Sequence, residues 1–453
     1  MFNRLARSPR LDQWGLRRQA ERTAYHVTRH GMGTAAAISR TFAAAGRLGS
    51  PQRLPRPPRT DLFDLTPTQD QQMLVDVVRE FAAERIRPAA RDADRDRRAP
   101  DELIATAVEL GIWQVSVPEA LGGFSEHRSA VTGVLVAEAL ATGDLGLAVS
   151  ILATAAVPTA LSLWGDAGQQ ASYLPAFVGD APPRAALAVT EPRPLFDPFS
   201  LNTSAIRTVG GYHLDGVKSL VPAAGRAELF VVAATVVDAD REPGGGPDGG
   251  PDGRPDSRRD AGREPDGGPA LFLVESGTPG ITVRDDPAMG LRAAETGRLH
   301  LDAVTVPASA RIGTARDNPY ADCVRLARLG WCALAVGTGQ AVLDYVVPYV
   351  NERVAFGEPV SHRQGVAFLV ADLATELDGM RLATYRAAAR AEQGLDFARE
   401  TALARRLCSD YGMAIGSDGV QLLGGHGYVK EHPVERWYRD LRAVGLAEGV
   451  LLV

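Results

Sequence analysis

Near the end of the chain, Glu448 stands in the string Leu446-Ala-Glu-Gly-Val450, with Val444, Leu446, Ala447 and Val450 as apolar neighbours. A carboxylate in such water-poor surroundings holds its proton more tightly than in water, which suits it to take a proton from carbon near neutral pH. An exposed glutamate would carry no such chemistry, and the local string does not choose between the two. Arg325 and Arg328 are three apart and can share one helix face, either towards an anionic ligand or as a solvated face of an arginine-rich chain. Gly424 and Gly425, after Gln421, permit close backbone approach to a ligand or simply end a helix.

Other chemistries find little support. Gly31-Met-Gly-Thr-Ala-Ala36 fits a loose dinucleotide fingerprint, but it follows no convincing strand and has no acid about 20 positions on. His26 and His30 lie one helical turn apart without a third ligand, so no metal is expected. There is no G-x-S-x-G elbow and no P-loop. The three cysteines, Cys323, Cys332 and Cys408, form no CxxC pair, which fits a reducing compartment and a cytoplasmic location. Residues 1–60 carry 12 arginines against two acids, whereas the rest holds 37 basic and 53 acidic residues. An acidic body with a basic arm does not ask for a nucleic-acid partner; peripheral membrane contact through residues 1–60 is one use of the arm.

To position these residues, the 453-residue chain has material for two or three domains, with 45% hydrophobic residues and a mean hydropathy of -0.09. Residues 1–60 read as a basic, flexible extension ending in the Pro/Arg-rich stretch from Ser50 to Arg59. Thr66-Pro-Thr-Gln69 predicts a capping box on Thr66 and Gln69, followed by an apolar face of Leu74, Val77, Val78 and Phe81. Helical patterns continue to residue 183, and the apolar stretch from Leu145 to Leu163 reads as a buried helix rather than a membrane span. Residues 184–310 carry strand-like runs at Ala185–Thr190, Tyr212–Val221, Leu229–Val236, Ala270–Glu275 and Leu299–Val306, with a Gly/Pro/Asp/Arg-rich insert at 238–269. Residues 311–453 are helical again. The predicted class is α+β: an N-terminal helical domain, a central β-domain and C-terminal helices.

Seven strings in this order resemble the acyl-CoA dehydrogenase family across most of residues 61 to 453. They are Leu110-Gly-Ile-Trp-Gln-Val-Ser-Val-Pro-Glu-Ala-Leu-Gly-Gly123, Val189-Thr-Glu-Pro192, Gly211-Tyr-His-Leu-Asp-Gly-Val-Lys218, Met289-Gly-Leu-Arg292, Glu352-Arg-Val-Ala-Phe-Gly357 with Gln364, Gln421-Leu-Leu-Gly-Gly-His-Gly-Tyr428, and Pro433-Val-Glu-Arg-Trp-Tyr-Arg-Asp440. The resemblance implies a C-terminal four-helix bundle, FAD between it and the β-domain, and a homodimer or homotetramer. It also implies α,β-dehydrogenation of an acyl-CoA, with electrons passed to an electron-transfer flavoprotein.

By the same resemblance Glu448 is the α-proton base, and residues 321–335, where some relatives carry the base, contain no glutamate. Arg353 matches the arginine that reaches the FAD diphosphate of the partner subunit, Phe356 and Gln364 the flavin contacts, and Gln421, Gly424 and Gly425 the adenosine contacts. Thr190 would lie by the flavin ring, and Arg325 and Arg328 on the helix used for CoA or thioester contacts. The chain also departs from the family. Arg193-Pro-Leu-Phe196 replaces small residues before Asp197, Leu220 and Pro222 replace an aromatic residue and a threonine beside the flavin, and Val450 replaces a threonine. Only three residues follow Val450, where the family carries a final helix. These departures leave room for an oxygen-using oxidase or monooxygenase on the same scaffold, or for a non-catalytic relative.

Overall fold

Two threonine–glutamine pairs satisfy the spacing of a capping box at the start of the first helix, and the second is used. In the computed structural model, the Thr68 hydroxyl accepts the Gln71 N–H at 3.2 Å and the Gln71 side chain accepts the Thr68 N–H at 2.9 Å. The box thus lies two residues beyond the predicted Thr66–Gln69 pair. A tertiary contact accounts for the choice, because the Gln71 amide also donates to Thr132 Oγ1 at 3.0 Å. The structure describes residues 65–123, 128–179, 181–237, 267–314 and 316–453. The expected extension at 1–60 and nearly all of the expected insert at 238–269 lie outside the described residues.

Residues Leu65–Val453 form one unit. Helix α1 (Gln69–Phe81) runs through a π-helical turn at Ala82–Ile86 into α2 (Arg87–Asp96). It buries Val75, Val78 and Phe81, while Val77, expected on that face, points to solvent. Then come α3 (Asp101–Glu109), α4 (Ala130–Ala141), α5 (Leu145–Trp164) and α6 (Ala167–Tyr173). Asp144 caps α5 by accepting the Leu147 N–H at 3.1 Å. Helix α5 is long and apolar enough to cross a membrane, yet it is buried along nearly its whole length inside the protein, as its sequence predicts.

The central sheet has nine strands among the described residues: β1 (Ala185–Ala188), β2 (Ser204–Arg207), β3 (Gly211–Val221), β4 (Leu229–Val237), β5 (Gly268–Glu275), β6 (Ile281–Asp285), β7 (Gly297–Pro307), β8 (Arg311–Ile312) and, after a separate two-stranded hairpin of β9 (Val354–Ala355) and β10 (Glu358–Pro359), β11 (Gly449–Val450). Strands β1 and β2 share one edge of β4, and β5 takes the other, from Leu229↔Glu275 to Val236↔Gly268. The long pair β3–β7 begins at Gly211↔Pro307 and ends, after two register shifts, at Val221↔Gly297. The sequence reading missed β2 and β6. Neither is an apolar run, and β6 is mostly exposed.

Helices α7 (Tyr320–Glu352), α8 (Gln364–Glu392) and α9 (Ala398–Leu422) pack on one another, and the short α10 (Val434–Leu441) closes the bundle against α9. A buried ionic network fastens α10 to the rest. Arg436 donates to Asp144 at 2.7 Å, Arg439 to Asp94 at 2.9 Å, and Asp440 accepts the Leu291 N–H at 2.6 Å. One eight-residue helix thereby binds the N-terminal helices and the β-domain together.

Candidate active site

Glu448 leaves the bundle after a 3-10 turn at Arg442–Gly445 and enters β11, which pairs antiparallel with β1 through Leu187↔Val450 and Ala188↔Gly449. Gly449 has φ +72°, and a Cβ there would come 2.5 Å from Val189 Cγ2, so the approach of the two strands requires glycine. Thr190 secures the turn. Its hydroxyl accepts the Glu448 N–H at 3.0 Å and donates to the Glu448 carbonyl at 2.9 Å. Trp331 Nε1 on α7 donates to the Gly449 carbonyl at 3.0 Å.

Glu448 is 6% exposed, as its apolar neighbours predict. Its carboxylate, however, is not in apolar surroundings. Arg328 grips it in two-pronged fashion, Nε to Oε2 at 2.9 Å and Nη2 to Oε1 at 2.8 Å. Arg405 on α9 donates to the Ala447 carbonyl at 2.7 Å and stands 3.6 Å from Glu448 Oε1, and its buried Nη1 has no hydrogen-bond partner. These guanidinium groups come from α7 and α9, so no string around position 448 announces them. Burial alone would lower the Arg328 pKa, but the hydrogen bonds and charge of Glu448 outweigh it and hold the group above its ordinary value. For Arg405 burial wins, and its pKa is lowered although Glu448 opposes this. Arg325 does not join them. It pairs with Asp322 at 2.8 Å, and its guanidinium carbon lies 5.9 Å from the Phe397 ring centre.

A second site gathers other residues that the sequence singles out. A cavity of about 520 Å³ is lined by Arg353, Gln421, Gly424 and Gly425, together with Tyr349 and His426. A Cβ on Gly424 or Gly425 would meet no atom within 4 Å, so their backbone faces open space. Tyr349 OH donates to the Leu423 carbonyl at 3.3 Å and shares a 2.8 Å hydrogen bond with His426 Nδ1. The sequence reading missed both residues. The available signal was Tyr349 one helical turn before Arg353, and His426 inside the quoted Gly-Gly-His-Gly. Gln364 starts α8 beside Gly365, which also lines the cavity, whereas Phe356 is 97% exposed at φ 56° with the Arg363 guanidinium 5.8 Å from its ring centre. Thr190 does not line this cavity.

The chain matches two family profiles, "Acyl-CoA dehydrogenase, N-terminal domain" over residues 68–180 and "Acyl-CoA dehydrogenase, C-terminal domain" over residues 321–451. It is 31% identical to an acyl-CoA dehydrogenase of Bacillus subtilis (strain 168), across 84% of this chain and 95% of the relative. The chain belongs to the acyl-CoA dehydrogenase family. Among solved structures, butyryl-CoA dehydrogenase from Megasphaera elsdenii superposes with a TM-score of 0.72 at 28% identity, covering 85% of this chain and 96% of that one. A structure described as the FAD complex of PigA superposes equally well, at 26% identity over 84% and 94% of the two chains.

This acyl-CoA dehydrogenase family protein is therefore an oxidoreductase of helical, β and helical parts, as the seven strings implied. Its departures from the family take definite form. In Arg193-Pro-Leu-Phe196, Leu195 is fully exposed at φ 51°, and the Arg193 guanidinium lies 5.3 Å from the Phe196 ring centre. Leu220 also adopts positive φ, 53°, and its N–H is taken by Asp286 Oδ2 at 3.0 Å. Pro222, two residues on, has no N–H to offer.

Proposed function

We propose that the protein is an FAD-dependent acyl-CoA dehydrogenase in which Glu448 takes the α-proton of an acyl thioester. The observation that carries this reading is the buried Glu448 carboxylate with its backbone clamped by Thr190; Arg328 engages both carboxylate oxygens, and one of them must part from it to accept the proton. The clamp fixes the base to within a hydrogen bond of its place, and low exposure keeps water from competing for the proton. Two guanidinium groups surround one carboxylate. Once Glu448 is neutralised by the proton, Arg328 and Arg405 leave positive charge beside the carbon that has lost it, which favours a developing enolate.

The cavity at Arg353 suits the diphosphate and adenosine half of FAD. Arg353 offers a planar cation for phosphate oxygens, and the open backbone at Gly424 and Gly425 leaves room that a Cβ would fill. Bound FAD would supply the acceptor for the β-hydrogen and its electron pair. A solved neighbour described as an FAD complex supports FAD as the cofactor, and another named butyryl-CoA dehydrogenase supports an acyl-CoA substrate. Thr190, bonded to Glu448, joins the base to the edge of the β-domain where the flavin ring would lie. Phe356, Val354, Phe368 and Tyr428 form exposed apolar surface around this end of α7 and α8, which a second copy of the chain would cover in a homodimer or homotetramer. An electron-transfer flavoprotein is the proposed electron acceptor and the cytoplasm the proposed location.

The test is to record the visible spectrum of the purified protein and to add acyl-CoA thioesters without oxygen. Flavin bleaching that disappears in Glu448→Gln supports the reading. A colourless protein that cannot be loaded with FAD would sink it, and fast reoxidation in air with an oxygenated product would replace it by an oxidase or monooxygenase.

A further inference from the structure

Thr190, which clamps the backbone of Glu448, is itself held from β3. Lys218 on that strand is fully buried, and its Nζ donates to Glu191 Oε1 at 2.9 Å and to the Val189 carbonyl at 3.3 Å. The next residue, Ser219, donates its N–H to the Thr190 carbonyl at 2.8 Å. Residues 189–191 are thus tied to two consecutive residues of β3. Glu191 spreads the hold, since its Oε1 also accepts the Thr203 N–H at 2.9 Å and its Oε2 the Asn202 N–H at 2.8 Å.

Lysine is seldom buried completely unless it is paired, and Lys218 is one of two lysines in a chain with 49 basic residues. A compact ammonium fits between a carbonyl and a carboxylate where the planar fork of arginine would need more room. The register of β3 against β7 shifts between Lys218 and Val221, and Lys218 and Ser219 are buried in succession. Such irregularities re-aim the chain, and here consecutive residues serve the same short segment.

We propose that Lys218 is a positioning residue for Glu448, acting through residues 189–191 and the Thr190 hydroxyl. This deepens the reading of Glu448 as the α-proton base and rests on it. The hydrogen bonds of Lys218 go to Val189 and Glu191, not to Glu448, and Lys218 does not line the cavity at Arg353. With the ammonium in place, Thr190 is pinned on both sides, and its hydroxyl stays within reach of the N–H and the carbonyl of Glu448. Proton transfer needs its partners at hydrogen-bond distance, so a small displacement of the base costs much of its rate. Burial pulls the Lys218 pKa down to about 8, against the charge and hydrogen bond of Glu191, while the charge of Arg193 also lowers it. In mildly alkaline solution Lys218 therefore loses its charge, and its grip on Glu191 weakens.

Two readouts on the full-length protein test this. Lys218→Met/Glu191→Gln replaces the pair by neutral side chains of similar volume and leaves no lone buried charge. Hydrogen–deuterium exchange should speed up at least about tenfold in peptides covering 446–450 and stay unchanged in α8, whereas a fold weakened throughout would speed both. In anaerobic rapid mixing of the FAD-loaded protein with butyryl-CoA, the limiting rate of flavin reduction should fall at least about tenfold, with the Kd of the thioester within about twofold of wild type. The wild-type rate should decline above pH about 8, and the variant should lack this alkaline limb. If the double variant does not fold, wild-type exchange at pH 7 and pH 9, corrected for intrinsic exchange, should show 446–450 losing protection relative to α8. Unchanged protection, loss shared equally with α8, or an unchanged limiting rate in the active variant overturns the proposal. A wild type that butyryl-CoA and octanoyl-CoA fail to bleach removes the dehydrogenase reading instead, and the exchange result still decides whether Lys218 holds Glu448 in place.

Discussion

Arg328 and Glu448, 120 residues apart in the chain, close a two-pronged ion pair with donor–acceptor distances of 2.8 to 3.1 Å. The carboxylate is almost wholly buried and the guanidinium is about three-quarters buried. Breaking such a pair from one side leaves a buried charge with no adequate solvation. Arg328→Gln should therefore destabilise the fold by about 3 kcal/mol in denaturant titration, and flavin reduction by acyl-CoA should slow by more than about tenfold. Full retention of both would show that the pair neither stabilises the fold nor sets the base.

Thr190→Val removes the hydroxyl that serves both the N–H and the carbonyl of Glu448. Two buried backbone groups lose their partner, at a cost of about 2 kcal/mol. The rate of flavin bleaching should fall while the affinity for FAD, read by fluorescence titration, changes little. A large loss of FAD affinity with an intact rate would instead assign Thr190 to the cofactor.

Gly425→Val probes the cavity at Arg353. A Cβ there meets no atom within 4 Å, so thermal stability should stay within about 0.5 kcal/mol of wild type. The added bulk occupies the space assigned to FAD, and cofactor affinity should drop by at least about tenfold. Undiminished FAD binding would place the cofactor elsewhere.

Asp440 links stability to pH. Burial, reinforced by the charge of Asp144, pushes its pKa up to about 8, although the Leu291 N–H and Arg439 act in the other direction. In the unfolded chain an aspartate loses its proton near pH ~4. Between these two values the folded protein binds the extra proton, so stability falls as pH rises from about 4 towards 8. Denaturation midpoints at pH 5 and pH 8 should differ less in Asp440→Asn than in wild type. An equal or larger difference in the variant would exclude Asp440 as the source.

Wherever a residue's role depends on its own string, that string made it legible. The apolar run of α5, the strands β3, β4 and β7, and the Gly-Gly after Gln421 could be read because burial and turn chemistry leave periodic, local marks. Strands β2 and β6 escaped because they span only 4 and 5 residues, too few for a period-2 pattern to stand out. The capping box moved from Thr66 to Thr68 because the deciding contact, Gln71 to Thr132, is tertiary.

The same division holds at the site. By itself the sequence determined the family, the order of helical and β parts, and Glu448 as the carboxylate to examine, since each is written in short strings and their spacing. Only the tertiary structure decided what surrounds that carboxylate. Arg328 and Arg405 arrive on two different helices, Thr190 arrives on the sheet edge, and Leu451 and Val453 settle into notches at Gly330 and Gly133. Charge pairing and steric exclusion act over a few ångströms in space and have no fixed separation along the chain, so no string at Glu448 could have shown them.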